Sequence, residues 1–191
     1  RVNSAAFSPD GQYIVTASDD GTARIWEVVL EGYVRVLEGF TERMYGAEYS
    51  PDMQYIVTVG DGETARIWEA RSGQPLRMLQ GHIGWVNSAA YSPDGQYIVT
   101  ASDDETAIIW EAGSGQLLRR LEGHEARVNS AVYSLDGQYI VTASDDGTAI
   151  IWEAGSGQLL RRLGGHGARA YSAVNSAVFS PDGQHIGTAN D

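Results

Sequence analysis

Apolar and polar positions alternate along this chain in short runs. No segment holds apolar residues at i, i+3, i+4 and i+7 over a helix length, so the periodicity predicts strands. From Val86 onward four runs read as strands: Val86 to Tyr91, Tyr97 to Ser102 with its β-branched residues, Thr106 to Trp110, and Leu117 to Leu121. Turn chemistry separates them. In Ser92-Pro93-Asp94-Gly95 the proline sits where its fixed φ is useful and the glycine where φ can become positive. Asp103-Asp104-Glu105 and Gly113-Ser114-Gly115 form the next two turns, and Gly123-His124 follows the last strand.

This unit repeats. The segment that opens Val2-Asn3-Ser4-Ala5-Ala6-Phe7-Ser8-Pro9-Asp10-Gly11 returns, with substitutions, at Met44, Val86, Val128 and Val174, the first three steps being 42 residues each. Trp26, Trp68, Trp110 and Trp152 keep the same interval, while the last step is 46 because four residues, matching Ala170 to Ala173, precede Val174. Residues 86–127 and 128–169 differ at only five of 42 positions, the mark of a recent or an engineered duplication. Residues 1–191 therefore read as one array whose fifth copy is incomplete. Four antiparallel strands per period predict an all-β fold of propeller blades. A blade cannot cover its own two faces, so its neighbours must stack on it.

Composition narrows the function. Acidic residues outnumber basic ones 25 to 13, giving a net charge of -12, which argues against a nucleic-acid binder and against an anionic membrane surface. The chain has no cysteine and no lysine, so disulfides, thiolate chemistry, cysteine zinc sites, a P-loop lysine and a Schiff base are all excluded. No apolar run reaches the roughly 18 residues a membrane-spanning helix needs. A cytoplasmic setting without cofactor or metal is the expectation.

The recurring motifs carry a resemblance. Gly81-His82, Gly123-His124 and Gly165-His166, the Ser-Pro-Asp-Gly turn, the Ser-Asp-Asp-x-Thr segment and the closing Trp-Glu resemble WD40 repeats over essentially the whole chain. Trp-Glu replaces the family's Trp-Asp in all four copies, a mild departure that keeps the acid. The resemblance implies a WD40-type β-propeller, or a segment of one. It also implies a buried relay in each blade: His82, Asp104, Trp110 and either Thr100 or Ser102 in the third copy, and His124, Asp146, Trp152 and either Thr142 or Ser144 in the fourth. The hydroxyl candidates lie two apart and so share one side of their strand. Independently of any family, a buried indole and imidazole need such acceptors. His, Asp and Ser also suggest a hydrolase triad, but a triad is needed once, whereas this set recurs with the fold's period. In the second copy Gly39-Phe40 replaces Gly-His and Gly62 stands where Asp104 does, so donor and acceptor are lost together; the alternative is that Asp61 takes the aspartate role.

Other motifs resolve to structure. Asp19-Asp20-Gly21 lacks the spaced oxygens of a calcium loop and reads as a turn. Gly113-Ser114-Gly115 joins two strands and offers no helix N-terminus to a phosphate. Arg119, Arg120, Arg161 and Arg162 read as charges protecting an edge strand.

Partner specificity should lie where the copies differ. The stretch between Gly-His and the first strand is the most divergent: Thr41-Glu42-Arg43, Ile83-Gly84-Trp85, Glu125-Ala126-Arg127 and Gly167-Ala168-Arg169. By resemblance it lies on the face that WD40 proteins most often use for partners. Trp85, the one tryptophan off the 42-residue interval, with Arg43, Arg127 and Arg169 around it, has hot-spot composition; packing on its own blade is the alternative. Tyr45, Asn87 and Asn129 follow just inside and are candidates for the channel mouth, or for a strand-end structural role. The function expected is a non-catalytic protein-interaction scaffold with a protein or peptide partner. The alternative is the sensing module of a larger kinase or nucleotide-switch protein. Family rings usually close at about seven blades, so a longer array, or self-association of copies, is expected to complete this one.

Overall fold

The computed structural model describes residues 1–29, 33–37, 43–164 and 173–190, and every regular element among them is a strand. The first sheet holds β1 (Val2–Phe7), β2 (Tyr13–Ser18), β3 (Ala23–Glu27) and β4 (Tyr33–Leu37); the second holds β5 (Met44–Tyr49), β6 (Tyr55–Gly60), β7 (Thr64–Glu69) and β8 (Pro75–Gln80). The third contains β9 (Val86–Tyr91), β10 (Tyr97–Ser102), β11 (Thr106–Glu111) and β12 (Leu117–Glu122), and the fourth β13 (Val128–Tyr133), β14 (Tyr139–Ser144), β15 (Thr148–Glu153) and β16 (Leu159–Gly164). A final pair, β17 (Ser176–Phe179) and β18 (Ile186–Ala189), forms a two-stranded sheet. Each four-stranded sheet is an antiparallel meander in chain order, the pattern of a propeller blade. The third and fourth strands run one residue further than the hydrophobic pattern indicates, through Glu111 and Glu122.

Stacking explains why the second strand of each blade is buried on both sides. In β10, Ile98 packs in the seam toward the second blade, while Val99 and Ala101 pack in the seam toward the fourth. A single four-stranded meander would leave one of these sets in water. Each seam is built alike: Val57, Val59, Ile67 and Leu79 of one blade meet Val86, Ile98, Ile108 and Trp110 of the next. Trp68, Trp110 and Trp152 are 0%, 1% and 2% exposed, and burying each such side chain contributes about 1.5–3 kcal/mol. Trp26, on the leading face of the first blade, is partly buried.

The first hairpin of each blade is fixed by its turn. Ser92 Oγ donates to Asp94 Oδ1 at 2.6 Å and accepts the Tyr97 N–H at 2.9 Å, while Gly95 takes φ 72°. The second blade has Met53 at this position, held at φ 63° in a region that disfavours a side chain by roughly 1 kcal/mol relative to glycine.

A β-bulge interrupts the first strand of every complete blade one residue after its start. The bulged residues are Asn3, Tyr45, Asn87 and Asn129. A bulge re-aims its side chain, and here it turns three amides toward the next blade. Asn87 Nδ2 donates to Asp103 Oδ1 at 2.8 Å and to the Val128 carbonyl at 2.9 Å. Asn3 joins Asp19 to the Met44 carbonyl, and Asn129 joins Asp145 to the Val174 carbonyl, in the same manner. These residues are therefore stitches between consecutive blades.

Candidate functional site

Two arrangements of polar residues recur with the blades, one buried and one exposed. The buried one gathers His82, Asp104, Thr100 and Trp110. His82 Nδ1 lies 2.8 Å from Asp104 Oδ2, His82 Nε2 lies 2.8 Å from Thr100 Oγ1, and Trp110 Nε1 donates to the same hydroxyl at 2.8 Å. The fourth blade repeats this with His124, Asp146, Thr142 and Trp152 at 2.7–2.9 Å. Thr100, not Ser102, joins the imidazole to the indole. Ser102 instead accepts the Asp104 N–H at 3.1 Å, and Ser144 does the same for Asp146 while donating to the Ala126 carbonyl.

The hydrogens run in one direction. A carboxylate only accepts, so Nδ1 carries the imidazole hydrogen; Nε2 is then left to accept from the threonine hydroxyl, whose oxygen accepts from the indole. A doubly protonated ring would give Thr100 Oγ1 two donors and leave it only the Ile108 carbonyl, 3.5 Å away, for its own hydrogen. The neutral ring fits. Consistent with this, burial holds His124 below its ordinary value of 6.5, against the opposing pull of Asp146. Burial also acts to raise Asp104, but hydrogen bonds from His82, Thr106 and the Ile83 N–H outweigh it and hold the carboxyl well below the usual range. Asp146 is lowered for the same reasons, with Thr148, His124 and the Glu125 N–H as its donors.

Arg120 adds a cation that the edge position did not suggest. Its guanidinium reaches Asp104 at 3.4 Å, Thr106 at 3.0 Å and the Gly81 carbonyl at 2.6 Å, and Arg162 lies 3.5 Å from Asp146. The relay so tied has no open side for a substrate: the side chains of His82 and Asp104 are 1% and 2% exposed, and Thr100 is fully buried. Its chemistry is that of a satisfied core.

The second blade keeps the minimum. Trp68 Nε1 donates to Thr58 Oγ1 at 2.7 Å, as Trp26 does to Thr16 at 2.9 Å in the first. Gly39 and Phe40 lie outside the described residues. Asp61 is occupied elsewhere, accepting the hydroxyl of Tyr45. Burial first, then this carboxylate, push the Tyr45 phenol up to about 12.

The exposed arrangement is a rim at the start of the first strands. Arg43, Trp85 and Arg127 occupy equivalent positions, and the carbonyl of each accepts the N–H of Asp61, Asp103 and Asp145 respectively. Arg1 holds the same position in the first blade, its carbonyl accepting the Asp19 N–H; a repeat counted from Val2 leaves it out. Gly84 brings this loop down on the neighbouring turn, since a Cβ there would stand 2.7 Å from the Asp104 nitrogen. Trp85 is 50% exposed and Ile83 beside it 81%. Arg127 is exposed and paired with Asp145. Arg169 lies outside the described residues, and the amides of Asn87 and Asn129 are taken up by the stitches between blades.

Repeated four-stranded blades with such a relay define a propeller-type repeat array. The family described as WD40 (WD domain, G-beta repeat) matches residues 1–27, 32–69, 73–111, 115–153 and 157–191, so the chain belongs to the WD40 repeat family. The family unit is out of phase with the blade. Residues 73–111 span the outer strand β8 and then β9 to β11 of the next sheet, so each repeat ties two blades together. No curated protein matches the chain.

Replacing Thr100 with valine orphans both an imidazole nitrogen and an indole N–H, whereas Thr58→Val orphans only an indole. Urea unfolding should show a loss of about 2–5 kcal/mol for the former and about 1–2 kcal/mol for the latter; equal losses would break the relay account. Stability should also respond to pH in two windows. The unfolded chain takes up a proton at His124 near 6.5 while the folded chain resists it, so the His124 contribution declines as pH falls below 6.5, against the opposite contribution of Glu48, which burial raises to about 7; Asp146, depressed from 3.8, adds a further decline below that value. His124→Gln should flatten the first decline, and an unchanged slope between neutral and mildly acid pH would contradict it.

Proposed function

We propose that this chain is a non-catalytic interaction scaffold whose partner, a protein or peptide, docks on the rim of Arg43, Trp85 and Arg127. WD40 repeats generally mediate protein interactions, and the observation that carries the assignment here is Trp85. Its counterparts in phase are Arg1, Arg43 and Arg127, so this one blade presents a half-exposed indole where the others present a guanidinium. A rigid aromatic surrounded by arginines is the composition of an interface anchor. Tyr45, two residues on from Arg43, is tied to Asp61. The buried relay supports a scaffold rather than an enzyme, since its imidazoles are spent on holding blades.

Trp85→Ala combined with Arg127→Glu should abolish partner recovery in a pull-down while Asn87→Ala, which cuts a stitch, should lower stability and leave recovery in place. Undiminished recovery with the double variant would remove the rim from consideration.

A further inference from the structure

At the far ends of the innermost strands, opposite the rim, residues of the four blades line an open cavity of about 420 Å³, within the size range of ligand sites. Its walls repeat with the chain. Phe7, Tyr49, Tyr91 and Tyr133 stand 42 residues apart, and Pro9, Pro51, Pro93 and Leu135 belong to the turns that follow them. One wall residue breaks the repeat. Glu48 occupies the position held by Ala6, Ala90, Val132 and Val178 in the other copies. Its carboxylate points from β5 into the seam with β9, where Oε1 accepts the Tyr91 N–H at 3.3 Å. Among the described residues no arginine or histidine pairs with it.

An acid at a seam position otherwise filled by alanine or valine works against folding. A carboxylate removed from water without a cation is costly, and burial pushes this one up to about 7. Residues that oppose stability and persist where an apolar alternative is at hand in sister copies mark sites kept for binding. What the cavity lacks is a positive charge, and what it offers besides Glu48 is the exposed ring of Phe7 and the surface of Pro9, Pro51 and Pro93. Of the biological cations, a guanidinium suits this best: it is planar, weakly hydrated and stacks on ring faces, whereas an ammonium is compact and strongly hydrated.

We infer that this cavity binds an arginine side chain of a peptide partner, with Glu48 as the counter-charge and the exposed Phe7 ring as the stacking surface. The site is separate from the Trp85 rim and does not depend on it. Binding would also relieve the cost of Glu48, because the bound cation holds the carboxylate ionised.

The test is calorimetric titration of the whole chain with the blocked peptide acetyl-Gly-Arg-Gly-amide and with its citrulline and lysine counterparts. Saturable binding of the arginine peptide is expected, with the citrulline and lysine peptides weaker by about tenfold or more. Glu48→Gln should weaken the arginine peptide by a similar factor, and so should Glu48→Ala. The alanine variant installs the residue of the sister copies, so it should fold and melt higher than the parent. Trp85→Ala should leave this affinity unchanged, which separates the site from the rim. No saturable binding at millimolar peptide, equal affinity in Glu48→Ala, or equal binding of the lysine peptide would overturn the assignment.

Discussion

One hydrogen bond is common to all four complete blades. An indole buried between two sheets must find an acceptor, and the threonine of the second strand provides it from Thr16 to Thr142. This contact fixes the second strand against the third on one face and brings the tryptophan into the seam with the preceding blade. The seam then imposes the rest: once the indole is there, both sides of the second strand are covered, and the blade has no stable existence apart from its neighbours. The histidine and aspartate of the third and fourth blades extend the same contact outward to the turn. Arg120 closes it by joining the relay carboxylate to the carbonyl of the preceding Gly-His turn. The second blade retains the indole and threonine with Gly62 in the aspartate position, so the extension is separable from the contact on which it is built.

Much of this fold is legible in the residues because turn chemistry is so regular. Ser-Pro-Asp-Gly, Asp-Asp-Gly and Gly-Ser-Gly punctuate runs of four to six residues, and their recurrence supplies period, strand number and topology together. The relay was legible in type but not in detail. Thr100 and Ser102 share a strand face, and only the distance from the indole selects the first, leaving the second to receive the Asp104 N–H. The stitching role of Asn3, Asn87 and Asn129 was open for a different reason: an asparagine at a channel mouth and one in a bulge have the same sequence. The register shift that turns the amide onto the next blade arises only when two blades are stacked.

Differences between near-identical copies carry the remaining information. The third and fourth blades differ at few positions, and their cores are interchangeable. The second departs at the relay, with Gly62; at the bulge, with Tyr45 in place of asparagine; at the turn, with Met53 in left-handed conformation; and in the seam, with Glu48. At these places the sister copies carry an aspartate, an asparagine, a glycine and an alanine or valine respectively, so each change gives up some local stability. Blades that are stacked on both sides tolerate such losses, because the seams on either face still hold them.

That concentration bears on how an array of copies acquires function. When every blade is alike, the ring presents the same surface at each step and cannot distinguish one direction of approach from another. Divergence in a single blade breaks the symmetry at both ends of its innermost strand. Tyr45 and Asp61 lie at one end of β5, beside the rim that carries Trp85 on the following blade; Glu48 lies near the other, in the seam with that same blade. Tyr45, Gly62 and Glu48 thus converge on one seam, between the second and third blades, whereas Met53 lies toward the first. The third blade, whose relay is complete, supplies the rigid wall against which they are displayed. A side chain that costs stability can be kept only where its neighbour is firmly held, and the Thr100 relay is what holds it.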